Sequence, residues 1–200
     1  MGRLALAALG RGLCGLCAAT VAWTQTVTGR YWTAVVWIET ERYDWAVSVA
    51  EGLVRDEPRR SYAYYRLLAT ALRRSGRPEA QLAVYDEAVE QFPDHSLAHG
   101  HRCWYGTLFG DPRTVIDSCD RAIEIGEGTS GSAHARRAVA RALTGDRPGA
   151  IADLEAALAI WDRRDFRGRT YDTRAAWLEA LRDGRDPFDD ATLDQLRREF

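Results

Sequence analysis

A repeat of 34 or 35 residues is the feature that most restricts what this 200-residue chain can fold into. Four segments align in register, and they begin at Val27, Tyr62, Ser96 and Gly131. One column of the alignment holds only small residues: Ala34, Ala69, Cys103 and Ala138. Self-similarity at this period is typical of repeat proteins, in which each unit buries its apolar face against its neighbours.

Each unit has the sequence pattern of two antiparallel helices. Apolar residues recur at helical spacing on both sides of a short polar turn. The turn column holds glycine at Gly76, Gly110 and Gly145, with Glu41 as the exception. Glycine readily adopts backbone conformations that other residues resist, and small residues let facing helices approach closely. The chain is therefore predicted to be all-α and built from stacked helix pairs.

The clearest copies are residues 76–94 and 142–161, and residues 110–125 follow the same pattern. These segments resemble the tetratricopeptide repeat (TPR) family, and the resemblance extends roughly over residues 27–162. It implies a right-handed superhelical solenoid with units at 27–61, 62–95, 96–130 and 131–162. Residues 163–200 are predicted to form capping helices, because the last unit of a solenoid needs a more polar outer face.

Arg102 and Arg137 depart from the family pattern, which commonly has Leu in their column. We expect the aliphatic stem of each arginine to be buried and its guanidinium to lie at the edge of the core.

The resemblance also implies a function. TPR proteins are typically non-catalytic interaction scaffolds, and the first helices of their units line a concave groove that binds a peptide or protein segment. The groove residues predicted here are Tyr31, Val35, Arg66, Thr70, Arg73, Arg74, Trp104 and Arg136. Because arginine pairs with carboxylates and aromatic side chains supply desolvated contact area, an acidic partner is expected. In the alternative interpretation, these arginines pair with acidic residues on neighbouring helices.

Two cysteines fall at inward positions of the third unit. Cys103 belongs to its first helix and Cys119 to its second, and the antiparallel pairing places them close together. Two interpretations stand: a disulfide formed in an oxidising compartment, or two small reduced core residues.

No motif for catalysis is present, so neither enzymatic activity nor a cofactor is predicted. His99 and Cys103 have the spacing of two metal ligands on one helical face, but His99 shares its repeat column with His134 and Tyr65. A half-buried aromatic position explains that column, and no metal site is predicted.

Two other function classes remain as alternatives. One is a thiol- or metal-binding module that uses Cys14, Cys17, His99 and Cys103. The other is RNA binding along the groove arginines. Nucleic acid is disfavoured as a partner, because the chain after residue 38 carries 24 arginines against 29 acidic residues.

The start of the chain differs in charge from the rest. Residues 1–38 contain three arginines and no acidic residue, and residues 12–29 carry no charge at all. A cationic start followed by an apolar centre predicts a signal peptide or membrane anchor over residues 1–26; the alternative is a helix that covers the open end of the repeats. The protein is thus expected to be exported (periplasmic or secreted) or membrane-anchored, with a cytoplasmic location as the alternative. A composition rich in Ala and Gly, with all 27 cationic residues Arg, favours a bacterial source.

Overall fold

The structure is a computed structural model and describes residues 25–199. Within that range it contains ten α-helices, one short 3-10 helix and no β-strand, which confirms the all-α prediction. The predicted signal peptide, anchor or covering helix lies outside the described residues except for its last two positions, and Cys14 and Cys17 lie outside them entirely. Between residues 25 and 199, no helix is both long and apolar enough to span a membrane.

Each predicted repeat contains two α-helices, and two more follow the fourth repeat. The ten are α1 (Val27–Glu39), α2 (Tyr43–Asp56), α3 (Tyr62–Arg74), α4 (Pro78–Gln91), α5 (Ser96–Phe109), α6 (Ile116–Ile125), α7 (Gly131–Leu143), α8 (Arg147–Asp162), α9 (Arg169–Arg182) and α10 (Asp190–Glu199). The 3-10 helix (Pro112–Val115) leads directly into α6.

Side-chain caps fix where several of these helices begin. The Ser61 hydroxyl accepts a hydrogen bond from the amide of Ala63 at the start of α3, and Ser130 does the same for Ala133 in α7. At α8 the Asp146 carboxylate accepts from the Gly149 amide. Each bond satisfies one of the amides that the first turn of a helix leaves without an intrahelical partner.

The turn column has the backbone conformation that its glycines suggest in two units. Gly76 and Gly145 have φ values of 77° and 89°, in the left-handed region. Glu41, which stands in this column in the first unit, also has a positive φ of 60° despite its side chain. Gly110 differs, with a φ of −127°, and the chain after it forms the 3-10 helix instead.

The helices fall into two compact units, whose described parts are residues 25–77 and 78–199. In the first unit, α2 packs against both α1 and α3. In the second unit, each helix from α4 to α8 packs against the next along the chain, and α8 packs against α9. The last helix, α10, returns along the sequence to contact α5.

The column of small residues lies in the buried interior of the repeats. Ala34, Ala69 and Ala138 are fully buried, and Cys103 is almost so, which confirms the inward position of the small column. In the second unit, one buried cluster extends from Trp104 and Leu108 in α5 through α7, α8 and α9 to α10.

Candidate functional site

Four of the predicted groove residues line one cavity of about 240 Å³ in the first unit. Tyr31 and Val35 enter it from α1, and Arg66 and Thr70 enter it from α3. The members of each pair are four residues apart and therefore lie on one face of their helix. The remaining lining residues are Ile38, Glu39 and Leu67.

Two further predicted residues extend this face along α3. Arg73 is half-buried and Arg74 is exposed. Other arginines of the first unit form ion pairs, such as Arg30 with Asp56 and Arg77 with Asp44, both at 2.8 Å. Among residues 25–199, no ion pair includes Arg66, Arg73 or Arg74. The alternative in which neighbouring acids neutralise these arginines therefore has no ion pair to support it in the described part of the chain.

Trp104 belongs to the second unit, and its prediction as an open groove residue is wrong. Its side chain is only 2% exposed and lies in the same buried cluster as Leu108, Trp177 and Leu196. Residues of α7, α8 and α9 share this cluster, and α10 adds to it: α10 packs against α5, and its Arg197 Nε donates a hydrogen bond to the Leu108 carbonyl at 2.8 Å. A helix that sequence reasoning placed only as a cap thus covers the face on which Trp104 lies.

Arg136, the last predicted groove residue, is half-buried in α7 of the second unit. Its guanidinium extends over Gly100 in α5, where an added Cβ would lie 3.0 Å from Nη1. Glycine at position 100 therefore leaves the space that the arginine uses. Arg136 and Trp104 belong to a different unit from the cavity that Arg66 lines.

Cys103 and Cys119 form a disulfide in the structure, with their Cα atoms 4.9 Å apart. The bond joins α5 to α6, and both cysteines are buried beside Ala140 and Ile116. This is the first of the two interpretations that the sequence leaves open.

Arg102 and Arg137 have related surroundings, which explain why arginine occupies their column. The Nε of Arg102 donates to Asp86 on α4 at 2.7 Å, and its Nη1 donates to the Ser118 hydroxyl on α6 at 2.8 Å. One repeat later, Arg137 bonds Asp120 on α6 and Asp153 on α8. Each arginine thus links the second helix of its own unit to that of the preceding unit.

Asp153 is the most buried acidic group in this arrangement, at 2% exposed. Arg137 donates to both of its carboxylate oxygens, at 2.8 and 2.6 Å, and Arg141 donates to one of them at 2.9 Å. Burial acts to raise the pKa of Asp153, but the hydrogen bonds from Arg137 and His134 and the charges of both arginines outweigh it. The pKa of Asp153 therefore lies below its ordinary value.

The two histidines of the shared column have protein partners. A ring nitrogen of His134 lies 3.2 Å from the Asp153 carboxylate, and Nε2 of His99 lies 2.9 Å from the Pro93 carbonyl. Burial holds the pKa of His99 below its ordinary value. Between residues 25 and 199, no group of three or more His, Cys, Asp or Glu side chains is arranged to hold a metal ion.

A second cavity in the first unit, of about 370 Å³, is lined by tryptophans that sequence reasoning did not select. The rings of Trp37 and Trp45 meet edge to face at 5.3 Å, and Trp45 is 60% exposed. The sequence pattern does not distinguish this surface, because single tryptophans on an amphipathic helix more often pack into a core.

Helix pairs at a period of 34 or 35 residues and a column of small buried residues define a helical-repeat scaffold, whose α3 has an arginine-rich face. A comparison with known proteins identifies the type of repeat: residues 62–104 match the tetratricopeptide repeat family. Residues 62–104 therefore have the sequence of a tetratricopeptide repeat, and the described helices have a fold that agrees with it.

Solved structures of TPR proteins share the fold. The MamA protein superposes with a TM-score of 0.61 at 13% identity, over 80% of this chain and 91% of its own. TTC0263, a thermophilic TPR protein from Thermus thermophilus, gives 0.59 at 22% identity, over 89% of this chain and 94% of its own. YrrB, described as a TPR protein with an unusual peptide-binding site, gives 0.58 at 20% identity, over 78% of this chain and 79% of its own. These similarities support a helical solenoid fold.

Two curated relatives are named FK506-binding protein-like. The protein from Rattus norvegicus is 30% identical over 118 residues, which is 55% of this chain and 31% of the relative. The protein from Homo sapiens is 30% identical over 128 residues, which is 60% of this chain and 34% of the relative. The matches thus span about a third of the length of these relatives.

Proposed function

We propose that this scaffold binds an acidic peptide or protein segment on the first unit. The binding surface, called the Arg66 face, consists of Tyr31, Val35, Arg66, Thr70, Arg73 and Arg74. One observation carries the proposal: four of these residues converge on a single cavity, beside arginines that form no ion pair within residues 25–199.

The chemistry of the Arg66 face matches such a segment. An unpaired guanidinium binds a carboxylate through two parallel hydrogen bonds, and no internal salt bridge has to break first. A cavity of about 240 Å³ is below the range of about 300–1,000 Å³ that is usual for small-molecule sites. We therefore infer that it accepts a side chain of a bound segment, with Tyr31 and Val35 as its apolar walls.

The TPR fold supports a role as a protein-interaction scaffold in general. Among the similar structures, YrrB is described as having a peptide-binding site. That description supports a peptide as the class of ligand for this chain, while the choice of the Arg66 face rests on its own cavity and charges.

The test is a comparison of three forms of the full chain on a peptide array that contains acidic sequences and their Lys-substituted counterparts. The variant Arg66→Glu/Arg73→Glu/Arg74→Glu is expected to lose binding to the acidic peptides that the wild type selects. The matched control Arg113→Glu/Arg163→Glu/Arg164→Glu carries the same charge change on exposed positions of the second unit and is expected to keep it. The proposal fails if both variants bind alike, or if the wild type selects the Lys-substituted peptides.

We also propose that residues 1–26 direct the protein to the periplasm, the outside of the cell or a membrane. The cationic, then apolar, sequence of this segment supports the proposal. A disulfide between Cys103 and Cys119 supports it independently, because disulfides persist mainly in oxidising compartments.

A further inference from the structure

We infer that the C-terminal helix α10 is a displaceable occupant of a second binding face, and that an amphipathic helix with a carboxylate takes its place. The inference deepens the proposed scaffold function and rests on it. The covered face consists of Trp104 and Leu108 on α5 together with Trp177 on α9. Trp104 stands at a position where the family pattern predicts an open groove, and here the chain's own helix closes it.

The way in which α10 is held shows what kind of segment this face accepts. Leu196 is buried in the same cluster as Trp104 and Trp177, and Leu193, three residues earlier, packs against that cluster. Arg197 anchors the end of the helix to the Leu108 carbonyl. Two leucines three apart on an otherwise polar helix are the pattern of an amphipathic helix in an apolar groove.

The helix α10 does not completely fill the space beside α9. A cavity of about 340 Å³ separates part of α9 from part of α10. Its walls include Arg174 and Trp177 from α9 and Thr192, Gln195 and Glu199 from α10. A helix that fills this space and keeps both leucine contacts would bind the covered face better than α10 does.

Arg174 determines the chemistry that would fill the cavity. Its guanidinium lies 4.5 Å from the centre of the Trp177 ring, and its Nε is buried without a hydrogen-bond partner. Burial lowers the pKa of Arg174 to about 10, so the side chain is still charged at neutral pH. The charge of Glu199 on α10 already acts on this half-buried cation, but no hydrogen bond is made by its Nε. An unused donor on a cation favours a carboxylate that reaches it directly. Gln195 of α10 also lines the cavity, and its amide nitrogen donates to the Glu199 carboxylate at 2.9 Å.

The test uses a fluorescein-labelled peptide of residues 186–199, added to the full chain and to its Leu193→Asp/Leu196→Asp variant. The variant is expected to bind the peptide at least tenfold more tightly than the wild type, because its own helix no longer competes. A peptide that carries the same two substitutions is the matched control and is expected not to bind. If the variant keeps its helical circular dichroism and binds the peptide no better than the wild type, the inference is wrong.

The carboxylate is tested with a second peptide that carries Gln195→Glu. It is expected to bind the opened variant about tenfold more tightly than the natural peptide, since a hydrogen bond to a charged group is stronger than a neutral one. Adding Arg174→Gln to the protein is expected to remove this preference. An equal preference with and without Arg174 would overturn the assignment of the carboxylate.

Hydrogen exchange on the wild-type chain keeps the inference falsifiable if the double variant does not fold. Excess Gln195→Glu peptide is expected to speed amide exchange in α10 and to leave α8 unchanged; unaltered exchange in α10 would contradict displacement. The Arg66→Glu/Arg73→Glu/Arg74→Glu variant is expected to respond to the peptide as the wild type does. Failure of this inference is therefore distinguishable from failure of binding at the Arg66 face.

Discussion

One residue in the first turn departs from the repeat pattern, and its backbone conformation costs the folded protein free energy. Glu41 occupies the turn column that holds glycine in the other units, and its φ of 60° lies in the left-handed region. In that region the Cβ of an ordinary residue crowds the following carbonyl oxygen, at a cost of about 1–2 kcal/mol. The turn of the first unit therefore has the left-handed conformation of Gly76 and Gly145 without a glycine, the residue that adopts this conformation freely.

Replacing Glu41 with glycine is expected to stabilise the protein. Glu41→Gly removes the crowded Cβ, and we expect the free energy of unfolding to rise by about 1 kcal/mol. Urea denaturation measures the change. Glu41→Gln is the matched control, since it removes the charge but keeps the Cβ, and it is expected to leave stability unchanged. Equal effects of the two substitutions would show that charge, not backbone conformation, limits this turn.

At the scale of the helices, the structure shows which parts of the candidate site the sequence predicts. Tyr31, Val35, Arg66 and Thr70 were expected on one surface and do share a cavity, because helical periodicity alone decides which face of a helix a residue occupies. The burial of Trp104 was not expected. Trp104 lies in a cluster to which helices distant in the sequence contribute, and one of them, α10, bonds α5 through Arg197 and Leu108, which are 89 residues apart. No local period encodes such a contact.

For a related reason, the sequence does not predict the ion-pair partners of Arg102 and Arg137. The pattern places Arg102 and Arg137 at the edge of the core, but it does not show which acids of two neighbouring helices reach them. Asp153 lies 16 residues after Arg137 and Asp120 lies 17 residues before it. Only the packed structure shows that both acids bind one guanidinium.

The Asp153 network makes the stability of the second unit dependent on pH. Asp153→Asn leaves Arg137 and Arg141 without their buried partner, and we expect it to cost about 3–5 kcal/mol at neutral pH. Asp120→Asn is the matched control: it removes the half-exposed partner of the same Arg137 and is expected to cost at most about 1 kcal/mol. Urea denaturation of the two variants at neutral pH measures both values.

The direction of the pH effect follows from the lowered pKa of Asp153. An unfolded Asp titrates near 3.8, and the folded-state pKa lies below that value. The stabilisation is therefore complete above the unfolded pKa and is lost as the pH falls through the folded-state pKa. We expect the free energy of unfolding of the wild type to fall more steeply below about pH 4 than that of Asp153→Asn. Parallel curves would exclude Asp153 as the source.

The C-terminal helix α10 is short, and its length limits its stability on its own. An isolated helix shorter than about 12–15 residues is only marginally stable in water, and α10 has ten residues. Its helical state therefore depends on the burial of Leu196 and on the packing of Leu193. Displacement from the covered face would release it as a disordered segment, so binding there would be coupled to a change from order to disorder.

At the scale of the whole molecule, the two units present different surfaces. The first unit has an open arginine-rich face, and the second has a related face that its own C-terminal helix covers. The second unit also contains the Cys103–Cys119 disulfide and the Asp153 network. A chain with one open and one covered face would act as a scaffold whose second site becomes available only to a partner that competes with α10.

The disulfide between Cys103 and Cys119 supports the proposed location of the protein outside the cytoplasm, and that location can be tested. We expect fractionation of cells that express the full chain to place it outside the cytoplasm. After denaturation, which exposes both buried side chains, Cys103 and Cys119 are expected to resist alkylation until a reductant is added. The bond closes a loop with a sequence separation of 16 residues, for which the loss of chain entropy predicts a stabilisation of about 3 kcal/mol. Cys103→Ala/Cys119→Ala is therefore expected to lower the free energy of unfolding by about that amount. The matched control Cys14→Ala/Cys17→Ala is expected to leave it unchanged. If both thiols of the exported protein react after denaturation without a reductant, the cysteines are only small core residues and the disulfide no longer supports export.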